Sequence, residues 1–134
     1  MDGVFDLFHR GHLEAIKKVR KEAGVDGTVI IGVVSDMDTN SYKRWPIIKE
    51  SDRVEIVSNI KDVDEIIFPC PMSVTKEFIE KHQIDLVVHG FADKNDFNKQ
   101  KEFFKEIIDL NKFKFQEYYK GSSTTEIIKK IKNS

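Results

Sequence analysis

Residues 28–34 read TVIIGVV, an unbroken run of β-branched and small residues without polar alternation. A strand with one wet face alternates. A strand that does not alternate is covered on both faces, the habit of parallel sheets. Residues 85–89, DLVVH, repeat the pattern in shorter form. Parallel neighbours need a crossover of a dozen or more residues, usually a helix. The intervening segments supply one each time. Residues 13–23 put Leu13, Ile16, Val19 and Arg20 on one stripe with lysines elsewhere, and Gly24 follows as a C-cap. Residues 51–59, 75–82 and 98–110 read as helices, and 63–68 and 113–118 as strands. A last helix over 125–132 opens behind a Ser122 or Ser123 cap. The polar stretches 35–45 and 91–96 read as loops. This alternation predicts an α/β fold, a Rossmann-like three-layer αβα arrangement on a parallel sheet. Ligands then belong at the carboxyl ends of the strands. Residues 1–134 fit one domain with no visible linker or repeat.

Composition narrows the function class. A net charge of −1 leaves no electrostatic footprint for nucleic acid, and no apolar run reaches the roughly 18 residues of a membrane span. Cys70 is the only cysteine, so no internal disulfide forms, and a reducing, cytoplasmic setting is expected. No cysteine–histidine cluster at metal-ligand spacing and no phosphate-loop glycine pattern occurs; no resident metal site is expected.

Residues 5–13 read FDLFHRGHL. His9 and His12 lie three apart, a spacing that brings side chains onto one helical face. They stand at or just before a helix N-terminus, where free N–H groups and the macrodipole favour phosphate. Gly11 between them offers a bare backbone for a phosphate to approach. Imidazoles so placed can stabilise charge developing in phosphoryl or nucleotidyl transfer. Further along come Lys43 in SYKRWP, Glu50 and Arg53 in ExxR, KDVDEII from residue 61, PMSVT from 71, HGFAD from 89, and YYKGSSTT from 118. In the last of these a glycine and four hydroxyls open a helix, a second phosphate cradle.

In this order and spacing the segments resemble the cytidylyltransferases, the HxGH nucleotidyltransferases. The longer string DGVFDLFHRGH is most similar to the branch acting on phosphocholine and phosphoethanolamine. The resemblance implies a nucleotidyltransferase-type fold that joins CTP to a phospho-alcohol and releases pyrophosphate, with Mg²⁺ carried on the triphosphate. It assigns His9, His12 and Lys43 to catalysis. Gly3, Phe5, Gly11, Arg53, Gly90, Gly121, Ser123 and Thr124 fall to the nucleotide. Asp36, Met72 and Asp93 fall to the acceptor. It also implies a homodimer through residues 61–64. Three departures stand out. Met72 replaces a tryptophan, Phe91 an aspartate and Tyr118 an arginine of the family pattern. The strand ahead of His9 is very short, or has lost residues. These departures leave open a glycerol 3-phosphate or other-acceptor transferase, and a nucleotide-binding homologue with weak or no catalysis.

Overall fold

A computed structural model describes all residues from Met1 to Ser134. Strand β1 (Asp2–Gly3) pairs in parallel with β2 (Ile30–Val33), and β2 in turn with β3 (Glu65–Ile67). A second parallel ladder joins β4 (Val87–Phe91) to β5 (Phe113–Glu117). The expected parallel sheet is therefore present as two ladders. Length is the cause: at two residues, β1 is too short to run along both neighbours. It is held to β2 by Gly32 N–H on the Met1 carbonyl (2.8 Å) and Val34 N–H on that of Gly3 (3.0 Å). It is tied to β4 by the His89 imidazole on the Asp2 carboxylate. Below β1 the ladders part around a largely apolar cleft of about 490 Å³, walled by residues such as Val29, Ile30, Val87 and Val88.

Helix α1 (Arg10–Ala23) buries Ile16 and Val19 against Val29, Ile31 and Val33. It begins three residues before the apolar stripe does, because His9 caps it. Helix α2 (Asp36–Tyr42) occupies much of a stretch expected to be loop. Its one buried residue is Thr39, so it has no apolar stripe for periodicity to detect. Capping builds it instead: Ser35 Oγ accepts Asp38 N–H at 3.1 Å, and acidic Asp36 and Asp38 occupy the first turn. Helices α3 (Glu50–Ser58) and α4 (Lys76–Lys81) follow as expected, the first shifted by one residue and the second two residues shorter. The expected helix over 98–110 is two short helices, α5 (Lys94–Gln100) and α6 (Lys105–Asp109), joined by a 3₁₀ turn at Lys101–Phe104. The break has a physical reason. The Phe103 carbonyl is taken by Val74 N–H at 2.8 Å, so it is not free for the next helical turn. The chain ends in α7 (Thr124–Lys132). No helix is long and apolar enough to cross a membrane.

Candidate active site

The site is built where two helices begin. His9 is the N-cap of α1, and its Nδ1 accepts Gly11 N–H at 3.0 Å. His12 Nδ1 accepts His9 N–H at 3.2 Å, closing a capping box made of two histidines. In a neutral imidazole one nitrogen accepts and the other donates. With both Nδ1 atoms accepting from backbone, both neutral rings carry their proton on Nε2. His9 Nε2–H donates to Thr124 Oγ1 at 3.2 Å, and the Thr124 hydroxyl donates to the Asp6 carbonyl at 3.1 Å. Thr124 is the first residue of α7, whose cap Ser123 accepts Glu126 N–H at 3.1 Å. One hydrogen bond thus draws together the positive ends of α1 and α7.

Both ends border one cavity of about 250 Å³. His9, His12, Gly11 and Lys43 line it, as do Gly3 of β1 and Phe5 just after it, Gly90 from β4, and Ser123 and Thr124. His12 is wedged between aromatic rings, with centroids 5.5 Å from Phe5, 5.3 Å from Phe8 and 3.9 Å from His9. Burial pushes its pKa down to about 3, helped by the neighbouring His9 and Lys43 against the pull of Asp6. Burial also lowers His9. At neutral pH both imidazoles are therefore uncharged donors, and positive charge comes from the side chains beyond α2. Arg44 is spent on Asp6 (2.9 Å) and the Trp45 carbonyl (3.0 Å). Lys43 makes no ion pair; desolvation, then the charge of Arg44, lower its pKa. Two helix N-termini, two neutral donors and a free amine around one cavity form an anion site of the kind that binds a polyphosphate.

Other assignments fall elsewhere. Arg53 lies fully buried outside the cavity. Its Nε donates to Ile48 O (2.9 Å), Nη1 to Val4 O (2.6 Å) and Val34 O (3.0 Å), and Nη2 to Asp36 Oδ1 (2.7 Å). With every guanidinium nitrogen engaged by protein, it cannot serve as the nucleotide contact expected of it. Asp36 is its partner and accepts Glu50 N–H, so it too faces the framework instead of an acceptor. Asp93 is exposed and caps α5 by accepting Asp96 N–H at 2.8 Å. Met72 lines a small adjoining cavity of about 20 Å³ that shares Asp2, Gly3 and Tyr42 with the main one. Gly121 sits outside the lining, beneath the Tyr119 ring. The room beside Gly11 is not left for phosphate: a Cβ there would meet the His9 ring at 2.7 Å and the Ser122 carbonyl at 2.8 Å. The glycine lets α1 and the turn before α7 touch. Gly90 does the same for Tyr118, whose ring lies 2.8 Å from where a Cβ would stand.

Among the cavity residues given no role from sequence are Asp2, Asp6, Tyr42 and His89. His89 is held at Nδ1 by Asp2 and at Nε2 by Gln100 (3.3 Å). Burial works to raise Asp2, but the His89 charge and hydrogen bond outweigh it and hold the carboxyl below its usual range. Burial pushes the Tyr42 and Tyr118 phenols up to about 12, so both remain protonated donors. The only sequence signal for Asp2 and Asp6 was their place in the string ahead of His9. For Tyr42 it was an aromatic residue in a polar stretch.

The arrangement has known counterparts. The family model described as cytidylyltransferase-like matches residues 1–130. The chain is 39% identical to choline-phosphate cytidylyltransferase 2 of Arabidopsis thaliana, over 97% of this chain and 43% of that protein. It is 36% identical to the ethanolamine-phosphate cytidylyltransferase of Dictyostelium discoideum, covering 98% of this chain and 36% of that protein. It therefore spans less than half the length of these relatives. Against the FAD synthase of Methanothermus fervidus, also 36% identical, it covers 97% of itself and 91% of that protein. A lipopolysaccharide core biosynthesis protein from Thermoplasma volcanium superposes with a TM-score of 0.67 at 24% identity, over 90% of this chain and 94% of that one, a likeness of fold. With a family model running almost from end to end and relatives on either side of one chemistry, the chain belongs to the cytidylyltransferase-like family.

Proposed function

We propose that this chain, as one catalytic domain, transfers CMP from CTP to a small phospho-alcohol, phosphoethanolamine or phosphocholine, and releases pyrophosphate. The observation that carries the reading is the His9–Thr124 hydrogen bond, which brings the two helix N-termini onto one cavity beside Lys43. A phosphate oxygen of the acceptor attacks the α-phosphorus in line; the new P–O bond forms as the bond to the β-phosphate oxygen breaks. No covalent enzyme intermediate is needed. His9 and His12 present neutral Nε2–H donors to the charge that grows on the phosphates, and Lys43 lies between two anions that would otherwise repel. Gly3, Phe5, Gly11, Gly90, Ser123 and Thr124 border the nucleotide. Mg²⁺ enters as part of the nucleotide substrate; the nearest carboxylates, Asp2 and Asp6, are already engaged by His89 and by Arg44.

The small adjoining cavity, of about 20 Å³, has room for one end of an acceptor at most. Met72 there offers no π face, which favours phosphoethanolamine over a quaternary ammonium. A lost cation–π contact of about 0.5–2 kcal/mol corresponds to roughly threefold to thirtyfold. A second reading, FAD formation, rests on the similar length of the FAD synthase relative. Pyrophosphate release over a panel of CTP and ATP with phosphoethanolamine, phosphocholine, glycerol 3-phosphate and flavin mononucleotide separates these. CTP with phosphoethanolamine is expected to lead; a lead by ATP with the flavin overturns the first reading. His12→Ala should lower turnover about 10²–10³-fold with the fold intact, and full activity in that variant removes the imidazole from the mechanism. We also propose a homodimer through residues 61–64, checked by light scattering at micromolar concentration; a monomer mass refutes it.

A further inference from the structure

Asp6 is assigned no role above, yet it is bonded both to the segment after Lys43 and to the start of α7. It is 2% exposed. Its Oδ2 accepts Arg44 Nη1–H at 2.9 Å and Ile47 N–H at 2.8 Å, and its Oδ1 accepts Ile48 N–H at 2.9 Å. Its main-chain carbonyl accepts the Thr124 hydroxyl, the same hydroxyl that receives the His9 proton. The residues on either side of it, Phe5 (φ 57°) and Leu7 (φ 49°), both adopt the left-handed conformation that bulky side chains avoid. Such geometry persists only where the surroundings over-determine it, and it gathers at functional sites. The two inversions let one residue bond on two sides, its carboxylate with the segment that follows Lys43 and its carbonyl with the start of α7.

We infer that Asp6 is a positioning residue, acting through Lys43. By gripping the backbone at Ile47 and Ile48 and neutralising Arg44, it fixes the course of the loop and leaves Lys43 as the cation without an ion pair that lines the cavity with His12. The inference rests on the nucleotidyl-transfer reading for its catalytic consequence, but not for its geometry. A buried carboxylate that accepts three hydrogen bonds has no isosteric neutral substitute. In Asp6→Asn one oxygen becomes an NH₂ that faces a donor instead of accepting from it.

The experiment is a double-mutant cycle read by pyrophosphate release, with Lys43 acylation by acetic anhydride followed by mass spectrometry as an activity-independent readout. Asp6→Asn should lower kcat about 10²-fold, the cost of a small misplacement of a catalytic group. In a Lys43→Ala background the same change should cost less than about threefold, because residues that act through one another are not additive. The labelling rate of Lys43 should shift several-fold in Asp6→Asn without nucleotide. Equal losses in both backgrounds, or an unchanged Lys43 labelling rate, overturn the inference. If Asp6→Asn does not fold, Asp6→Glu carries the same cycle: it retains the charge and displaces the oxygens, and its loss must likewise disappear without Lys43. A wild type inactive with every acceptor ends the proposed reaction, while the labelling result still decides the role of Asp6.

Discussion

The two ladders are built from different materials. Around β1, β2 and β3 the core is aliphatic, with Ile16, Val19, Val29, Ile31, Val33 and Val57, and it encloses the buried polar residues Asp6, Thr39 and Arg53. Around β4 and β5 aromatic rings are interleaved with the aliphatic Val74, Ile79, Val87 and Ile107. Phe91 stacks on Phe115 at 5.3 Å and meets Phe97 edge-on at 5.1 Å, while Phe104 packs on Phe113 at 5.0 Å. No charged residue is buried there. The first region orders loops, ends of strands and a helix cap through directed bonds. The second supplies a wall by shape and area. The first region buries its polar anchors completely, whereas the second keeps its directed set, His89 with Asp2 and Gln100, at the edge of the cavity.

The largest effects should come from attacking each interior in its own currency. Arg53→Met strands three backbone carbonyls and Asp36, and should cost about 3–5 kcal/mol in urea unfolding. Ile107→Ala, in the aromatic region, should cost about 2–5 kcal/mol. The contrast lies in turnover. At a temperature where both fold, Arg53→Met should lower kcat because the ends of β1 and β2 lose their common anchor, while Ile107→Ala should not. Equal turnover losses would erase the distinction between the two regions.

Acid sharpens it next. Unfolded, His12 titrates near 6.5; folded, at about 3. Between those values the unfolded chain binds more protons, so stability must fall as pH falls, with a slope approaching about 1.4 kcal/mol per unit. His9, also lowered, adds in the same direction. Asp2 and Asp6 are held below the ordinary range of an aspartate, so their contribution is lost only further down. Urea midpoints taken from pH 6.5 to 4.5 should therefore drop, and His12→Asn should flatten the curve. An unchanged slope in that variant would move the titration elsewhere. The smallest effect is expected where the regions meet at the surface. Lys114 of β5 pairs with Glu22 of α1 at 2.8 Å, but the side chains are 54% and 40% exposed. Lys114→Ala should change stability by less than about 1 kcal/mol.

What could be read from the sequence follows the same division. The strands at 30–33 and 87–91 announce themselves as unbroken apolar runs, and α1 by its helical period, because burial writes both into the chain. Helix α2 does not, since caps and acidic first-turn residues hold it with one buried threonine. The helix at 98–110 looked continuous because a tertiary bond to Val74, invisible locally, interrupts it. His9, His12, Lys43, Ser123 and Thr124 were placed at one cavity by motif alone, and the structure brings them there. Arg53 was legible as a one-turn neighbour of Glu50, but not as a hub. Its partners come from three separate segments, and an arginine is rarely fully buried. Asp6 escaped notice because its importance lies in a left-handed turn that no period encodes.

The two-residue strand β1 has a mechanical corollary. Beside it the backbone continuity between the ladders is slight, and the cavity straddles that joint, with His9 and Lys43 on one bank and Gly90 and Tyr118 on the other. On the proposed function, a nucleotide lying across it would work as a rivet, its affinity adding to the cohesion of the two ladders. A ligand at a hundred times its dissociation constant adds about 2.7 kcal/mol to the folded state. That increment would bridge the joint between the ladders, so occupancy should harden the protein against heat and proteases together.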